Sequence, residues 1–219
     1  MAGDSSVAAT NGTNGEKHIN GKPLAPGKIA HWGMRTTPEN FEKMVVWHCN
    51  FFAGEVVYKL PNVAFIRFDD EHHRLVIVAD SCHKPIENRR SAVGIYHIAF
   101  TLDTLADLAT SYEQKKAMGI LPHWPVNHGM STSMYYFDPD KNEFEIQVDN
   151  FDTAEEAHEF MRTEEYKLNP IGVDIIPEDF VKRVRSGEPE SEIKKRPQIG
   201  KRHDRWENSL HFKESDKWN

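Results

Sequence analysis

The sequence predicts an α+β fold of two paired modules, each made of one strand, one helix and three further strands. Two observations support it. Residues 28–80 and residues 93–150 carry the same order of strand-like and helical patterns. The tripeptides Ile29-Ala30-His31 and Ile95-Tyr96-His97 occupy matching places, each ending six residues before a helix-capping residue. Such internal repetition predicts two copies of one structural unit, here with paired sheets that enclose a central cavity.

The first module opens with a predicted strand over Lys28–Arg35. Thr37 and Pro38 then supply a helix N-cap and a first helical position with a preset backbone angle. Apolar residues recur at helical spacing until Gly54, which ends the predicted helix. The three predicted strands that follow are Val56–Leu60, Ala64–Asp69 and Arg74–Ala79.

The second module repeats this order with its own signals. A predicted strand spans Gly94–Leu102, Asp103 is the expected N-cap of the following helix, and Gly119 ends that helix. The three strands expected after it are Ile120–Trp124, Ser133–Phe137 and Glu143–Val148.

The two flanks differ from the modules in composition. Residues 1–27 are rich in small polar residues without periodicity, which predicts a disordered tail. Within residues 151–219, helical extensions are predicted over Thr153–Tyr166, capped by Asp152 or Thr153, and over Pro177–Arg185. Residues 186–219 are polar and contain proline, so we expect a wrapping or partly disordered extension without a chemical role.

Composition excludes several classes of protein. The chain has 34 acidic and 27 basic residues and a formal net charge of -7, which argues against binding nucleic acid by phosphate neutralisation. The sequence has no apolar run of about 20 residues, as a membrane helix needs, and no apolar centre of a secretory signal. We therefore expect a cytoplasmic protein without membrane contact. Cys49 and Cys82 are too few for a disulfide scaffold and are expected to be packing thiols.

Three residues at matching positions predict a metal centre. His31 and His97 are equivalent in the two first strands, and alignment of the two last strands sets Glu145 opposite Val76. Two imidazoles and one carboxylate form the facial triad that leaves open positions on non-haem Fe(II). A four-ligand site of the lyase kind needs a donor at Val76. The alternative is that the histidines are ordinary core residues and that Glu145 points to solvent.

These residues, with the segments 71–75 and 135–145, resemble the vicinal oxygen chelate superfamily, which includes glyoxalases, bleomycin resistance proteins and extradiol dioxygenases. Within it the chain is most similar to the type I extradiol dioxygenases of the biphenyl-2,3-diol 1,2-dioxygenase group, over about residues 28–150. The resemblance implies an Fe(II) enzyme, with Mn(II) as the alternative ion, that opens the ring of a catechol-type aromatic diol with O2. It also implies a homo-oligomer, either a dimer or a larger assembly.

The resemblance assigns roles to three further residues. His73 matches the acid/base that takes a proton from the diol, Tyr135 matches a tyrosine that hydrogen-bonds a substrate oxygen, and His128 matches a second active-site histidine. As plain structural residues, His73 is a strand-entry residue in a polar turn and Tyr135 is a buried core tyrosine.

Two departures and two alternative functions accompany the resemblance. Many enzymes of this type have four modules where this chain has two, and Lys141 stands where the family usually has glycine, which predicts a different turn there. An O2-independent metal-dependent lyase, isomerase or epimerase of the same superfamily is one alternative. A metal-free protein that binds small molecules is the other.

Overall fold

The first module forms a four-stranded sheet in the computed structural model, which describes residues 25–89 and 91–213. Its elements are β1 (Trp32–Thr36), α1 (Phe41–Phe52), β2 (Glu55–Leu60), β3 (Val63–Arg67) and β4 (Leu75–Ala79). The strand order is β1-β4-β3-β2, with β1 parallel to β4 and the other neighbours antiparallel. Alternate residues of β4 are buried beneath α1, which is the one-sided burial that the alternating sequence predicts.

The second module repeats the plan and extends it by one strand. Its elements are β5 (His97–Thr101), α2 (Leu105–Ala117), β6 (Trp124–Asn127), β7 (Ser131–Phe137) and β8 (Glu143–Asp149). A short strand from the C-terminal region, β9 (Val173–Asp174), pairs with β6, so that the sheet order is β5-β8-β7-β6-β9. The predicted α+β fold of two strand-helix-three-strand modules is therefore confirmed.

Within the described residues, four helices follow β8. They are α3 (Ala154–Met161), α4 (Glu164–Leu168), α5 (Pro177–Arg185) and α6 (Glu190–Ile193). The predicted boundaries of α5 are confirmed, but the single helix predicted over Thr153–Tyr166 is wrong because the chain breaks it into α3 and α4. Thr163 ends the first segment and caps the second, since its hydroxyl accepts a hydrogen bond from the Tyr166 amide.

Several predicted boundaries shift in the structure. β1 begins at Trp32 rather than Lys28, because its pairing with β4 begins at Leu75. Residues 25–30, which belong to a separate N-terminal unit, contain no helix or strand, and residues 1–24 of the predicted tail lie outside the described residues. β6 begins at Trp124, where the predicted strand ended, and it contains Pro125, whose carbonyl accepts a hydrogen bond from the Ile175 amide.

The helix caps also differ from the predictions. The N-cap of α1 is Asn40 rather than Thr37, and a turn closed by the Thr37 carbonyl and the Asn40 amide separates them. Thr104, not Asp103, caps α2 and accepts a hydrogen bond from the Asp107 amide. Lys141 has φ 65°, so it adopts the left-handed conformation that glycine favours.

Aromatic side chains of α1 join the two modules. Phe51 and Phe52 pack against Phe144 of β8 with ring centroids 5.9 and 6.0 Å apart, and Phe52 also packs on Phe100 of β5 at 4.8 Å. Trp32 of β1 contacts Phe100 at 5.4 Å. The helical sides of both sheets therefore share one aromatic core, while their opposite faces remain available for a site.

Two sequence expectations concern the chain as a whole. Cys49 and Cys82 are both free thiols, as expected, but Cys82 is exposed, so the packing role predicted for it is wrong. Over the described ranges, none of the helices is both long and apolar enough to cross a membrane.

Lys115 on α2 is a buried cation in this core, so its replacement by methionine should stabilise the protein. Burial lowers the pKa of Lys115 to about 8, and its ammonium group donates to the Ser111 hydroxyl and lies 4.8 Å from the centre of the Phe51 ring. Below pH 8 the folded state carries a charge that unfolding would rehydrate, so Lys115→Met should raise the free energy of unfolding by up to about 3 kcal/mol.

The pH dependence of this gain provides the check. Because the unfolded state binds the Lys115 proton more tightly than the folded state, wild-type stability contributed by this group rises between pH 8 and pH 10.5. The advantage of Lys115→Met in urea denaturation should shrink over that interval. The exposed Lys43→Met is the control and should change the free energy of unfolding by less than about 0.5 kcal/mol. A gain for Lys115→Met that is independent of pH would contradict the explanation.

Candidate functional site

Strand register builds one row of side chains across the second sheet. Trp124 of β6 lies opposite Tyr135 of β7, and Tyr135 lies opposite Glu145 of β8. Glu145 pairs in turn with Ala99 of β5, two residues after His97. Glu145 is only 4% exposed, so the alternative in which it points to solvent is wrong. The row faces away from the shared aromatic core, because Phe144 on the other side of β8 belongs to that core.

His97 and Glu145 form the central pair of this row. The Nε2 atom of His97 lies 3.1 Å from the Oε2 atom of Glu145. Burial disfavours ionisation of Glu145, but hydrogen bonds from His97 and Ser133 outweigh it and hold the pKa of Glu145 below its usual value. The bond to Glu145 raises the pKa of His97 against the opposing effect of burial. The Nδ1 atom of His97 is buried and has no hydrogen-bond partner among the described residues.

His128 and Tyr135 form a second pair beside the first. The Nδ1 atom of His128 donates to the Ile171 carbonyl, which leaves Nε2 as the acceptor of the Tyr135 hydroxyl at 3.0 Å. Burial lowers the pKa of His128, which keeps this imidazole neutral. Burial and the nearby Glu145 carboxylate raise the pKa of Tyr135, so its hydroxyl stays protonated and acts as a donor.

A second buried carboxylate, Glu143, lies next to the site on the same strand. Its Oε1 atom is 3.0 Å from Nε2 of His123 and 2.9 Å from Nη1 of Arg205. Burial opposes its ionisation, but His123 and Arg205 overcome this effect and lower the pKa of Glu143. Arg205 also lies between aromatic rings, with its guanidinium carbon 5.2 Å from the centre of Trp124 and 5.1 Å from Trp206.

Residues 196–212, which we name the C-terminal strap, hold Arg205 in place. Arg202 is fully buried, donates to Asp174 at 2.7 Å and donates to the Arg205 carbonyl at 2.8 Å. Asp174 also accepts from the indole of Trp124 at 2.9 Å and from the Leu210 amide at 2.8 Å. Burial disfavours the Asp174 carboxylate, but these donors, Arg202 above all, lower its pKa. A buried ion pair with β9 therefore anchors the strap, in addition to the Arg205–Glu143 pair with β8.

Sheet and strap together enclose a cavity of about 600 Å³. That volume is in the range of small-molecule sites, and the walls combine aromatic surface with a few polar groups, as such sites do. The predicted residues His97, His128, Tyr135 and Glu145 all line it. The strap contributes His203, Asp204, Arg205 and Trp206.

The structure places the other two predicted residues elsewhere. His31 and His73 do not line this cavity. Their rings contact each other at 4.6 Å, and His73 contacts Phe65 at 5.1 Å, which in turn contacts Tyr58 at 5.9 Å. We name these four residues the first-module strip. It lies on the first sheet, on the module that does not carry Glu145.

The structure of one chain therefore brings together two of the three predicted metal donors, His97 and Glu145. His97 and Glu145 have the right chemistry and spacing for two ligands, but over residues 25–89 and 91–213 no group of three His, Cys, Asp or Glu side chains is arranged to hold an ion. The strand register also tests the alignment of the modules. Gly33 pairs with Val76 as Ala99 pairs with Glu145, so Val76 occupies the position equivalent to Glu145 and supplies no donor.

Sequence reasoning missed the strap as part of the site. Residues 186–219 were expected to carry no chemistry because they are polar, yet four residues of the run Arg202-His203-Asp204-Arg205-Trp206 line the cavity. The run itself contained the signal. Arginine and tryptophan are the residues most enriched at binding surfaces, and two arginines beside a tryptophan are unusual in a solvated tail.

Sequence comparisons place this chain among known proteins. Residues 28–146 match the model of the Glyoxalase/Bleomycin resistance protein/Dioxygenase superfamily. The chain is 41% identical over 170 residues to a protein of Rhodococcus globerulus named biphenyl-2,3-diol 1,2-dioxygenase 2, which covers 77% of this chain and 87% of the relative. It is 38% identical over 166 residues to biphenyl-2,3-diol 1,2-dioxygenase 3 of the same organism, covering 76% of this chain and 86% of the relative.

Solved structures with similar folds are more distant. A lactoylglutathione lyase from Agrobacterium tumefaciens matches 58% of this chain and 96% of its own, with 22% identity and a TM-score of 0.45. A glyoxalase/dioxygenase from Nostoc punctiforme matches 59% of this chain and 97% of its own, with 18% identity and a TM-score of 0.47.

Loss of the Arg202–Asp174 ion pair should release the strap. Arg202→Met leaves the Asp174 carboxylate buried without its main partner, which typically costs about 3–5 kcal/mol. We expect a lower melting temperature and faster proteolysis within residues 196–212. Arg183→Met, which breaks an exposed ion pair with Glu188, is the matched control and should cost less than about 1 kcal/mol. Equal proteolysis of the strap in both variants would show that the buried pair does not anchor it.

Proposed function

The chain belongs to the Glyoxalase/Bleomycin resistance protein/Dioxygenase superfamily, and we propose that within it the chain is an Fe(II)-dependent extradiol dioxygenase. Its substrates would be a catechol-type aromatic diol and O2. The observation that carries the proposal is the His97–Glu145 pair on the wall of an aromatic cavity. Two relatives named as biphenyl-2,3-diol 1,2-dioxygenases, 41% and 38% identical to this chain, support the reaction class.

We propose that His97, Glu145 and His31 hold the ion, with Fe(II) preferred and Mn(II) as the alternative. Two imidazoles and a carboxylate suit Fe(II) in oxygenases because they leave coordination positions open. The ion would supply the positions at which the diol and O2 are held next to each other. Val76 supports this three-ligand set over the four-ligand set of a lyase, because the register leaves no fourth donor at that position.

The walls of the cavity suit a flat aromatic substrate. The rings of Trp124 and Tyr135 are stacked 4.8 Å apart, and Trp206 of the strap also lines the cavity. Aromatic side chains offer large apolar faces that pack well against another ring. A diol that enters with its hydroxyls toward Glu145 would keep its apolar part against these rings.

Proton handling in the cavity falls to the His128–Tyr135 pair. Burial keeps His128 neutral, so the imidazole is able to accept a proton, and the Tyr135 hydroxyl connects it to the region around Glu145. Deprotonation of a diol hydroxyl requires a base of this kind within hydrogen-bond reach. We propose that Tyr135 orients the diol oxygen and that His128 balances the charge. The additional acid/base role proposed for His73 requires a residue from the first-module strip.

Oxygen uptake tests the reaction class directly. Protein purified without oxygen and loaded with Fe(II) should consume one O2 per diol on a panel of catechols and produce a coloured ring-opened product. His97→Ala should lose both iron and oxygen uptake. Conversion of a substrate without O2 would favour the lyase or isomerase alternative, and undiminished diol binding without metal would favour the metal-free binding protein.

Substitution of two neighbouring tyrosines distinguishes an effect on the reaction from an effect on folding. Tyr135→Phe removes the hydroxyl that donates to His128 and that we propose orients the diol oxygen. Loss of its hydrogen bond to an ionised diol oxygen should lower kcat by about 10- to 100-fold. Tyr136→Phe removes a buried hydroxyl on the other face of β7, where it donates to the Met134 sulfur. This control should leave kcat within about twofold. Equal losses in both variants would contradict the role of Tyr135.

A further inference from the structure

A second cavity, of about 690 Å³, is lined by residues of both modules. All five residues of β1 line it, together with Ile98 of β5, Phe144 of β8 and residues 82–86 of the segment that connects the modules. None of the residues with a role in the proposed function lines it. Its volume is in the range of small-molecule sites. We name it the second cavity, to distinguish it from the cavity beneath the strap.

Three residues in the lining of the second cavity carry buried polar atoms that have no hydrogen-bond partner within the described ranges. These atoms are the Trp32 indole nitrogen, the Thr36 hydroxyl oxygen and the Oδ2 atom of Asp140. Thr36 is the most buried of the three residues, with 3% of its surface exposed. Buried polar groups without a partner are unfavourable and few in native proteins. Three of them around one cavity indicate that a bound molecule supplies the missing partners.

Thr36 and Asp140 lie at the same end of the second cavity. The Oδ1 atom of Asp140 accepts a hydrogen bond of 2.6 Å from the side chain of Asn40, which belongs to the turn that follows Thr36. His83 fixes the connecting segment at this end, because its Nδ1 atom donates to the Thr36 carbonyl at 3.0 Å. The polar end therefore presents one hydroxyl, from Thr36, and one acceptor, the Oδ2 atom of Asp140.

Positive charge exceeds negative charge around the second cavity. Three basic residues line it: Arg35, Lys84 and Arg89. Arg89 reaches the polar end, because it donates to the side chain of Asn142, two residues after Asp140. In the part of the chain that the structure describes, none of the three forms an ion pair with a carboxylate. Glu143, the other acidic residue of the lining, is already paired with His123 and Arg205. The balance favours an anionic ligand.

The opposite end of the second cavity is aromatic. Trp32 lies four residues before Thr36 on the same side of β1, which places it about 13 Å away along the strand. Met34 and the ring of Phe144 lie in the wall between the two ends. A ligand that fits this cavity therefore combines an aromatic part with a polar, negatively charged end.

We propose that the second cavity binds an aromatic 2-hydroxy carboxylate. The ligand carboxylate accepts a hydrogen bond from the Thr36 hydroxyl and pairs with Arg89, and the hydroxyl on the neighbouring carbon donates to the Oδ2 atom of Asp140. The aromatic part extends toward Trp32. A carboxylate without the hydroxyl would leave Asp140 unsatisfied beside a like charge, and a neutral alcohol would leave the basic residues unpaired. The site does not depend on the proposed function.

Titration calorimetry with three matched probes tests the ligand class. Mandelate is a 2-hydroxy acid with a phenyl ring, phenylacetate lacks only its hydroxyl, and mandelamide lacks its charge. The full chain carries His97→Ala, because a 2-hydroxy acid chelates metal ions and would otherwise bind an ion at the proposed metal site. We expect one mandelate per chain, bound at least about tenfold more tightly than either of the other probes. Equal binding of mandelate and phenylacetate, or no saturable binding of mandelate, would overturn the inference.

Asp140→Asn tests the contact with the ligand hydroxyl. The new amide oxygen keeps the hydrogen bond from Asn40, while the amide nitrogen presents a donor to the cavity where the acceptor was. The preference for mandelate over phenylacetate should therefore fall below about twofold, and phenylacetate should bind more tightly than before because a like charge is gone. A general loss of structure would weaken both probes alike. A preference that stays the same in Asp140→Asn contradicts the assigned contact.

Two further variants test the carboxylate contacts. Thr36→Val removes the hydroxyl that has no partner among the described residues, so the unliganded protein should melt at the same temperature or higher while mandelate binds about tenfold more weakly. Arg89→Met should also weaken mandelate binding at least about tenfold. The control Lys182→Met, an exposed cation on α5 outside the cavity, should change the affinity by less than about twofold. Equal mandelate affinities in Thr36→Val, Arg89→Met and Lys182→Met would overturn the inference.

Discussion

The arrangement of this protein depends on two buried carboxylates on one strand. Glu143 and Glu145 alternate with the core residues of β8 and point to the same covered face. A buried carboxylate is unfavourable unless donors surround it. Glu145 pairs with His97 of β5. Glu143 pairs with His123 and Arg205, which belong to two further parts of the chain. These pairings fix the position of the cavity and require the C-terminal strap to close over it.

Duplication of one module explains why the site is asymmetric. Both modules keep the same strand order and place a histidine at the start of the first strand, but the first module has Val76 where the second has Glu145. The first sheet has no buried carboxylate at this position that requires hydrogen-bond donors. No strap is therefore needed there, and its face stays open. The second module forms the cavity.

The sequence predicts the modules well because their signals are local. Alternation marks the strands, helical spacing marks α1 and α2, and the repeat identifies His97 and Glu145 as neighbours of one cavity. The strap was not predictable from composition, since Arg202 and Arg205 are satisfied by Asp174 and Glu143, which are 28 and 62 residues away in the chain. The separation of His31 from His97 was equally hidden, because a repeat identifies equivalent positions without showing whether they meet within one chain.

Anomalous diffraction at the iron absorption edge, from crystals of Fe(II)-loaded protein, tests the central claim most directly. The account predicts one anomalous peak per chain, bound by the Nε2 atom of His97 and a carboxylate oxygen of Glu145, with His31 as the third ligand. A peak bound to other residues, or iron-loaded crystals without a peak next to Glu145, would contradict the account.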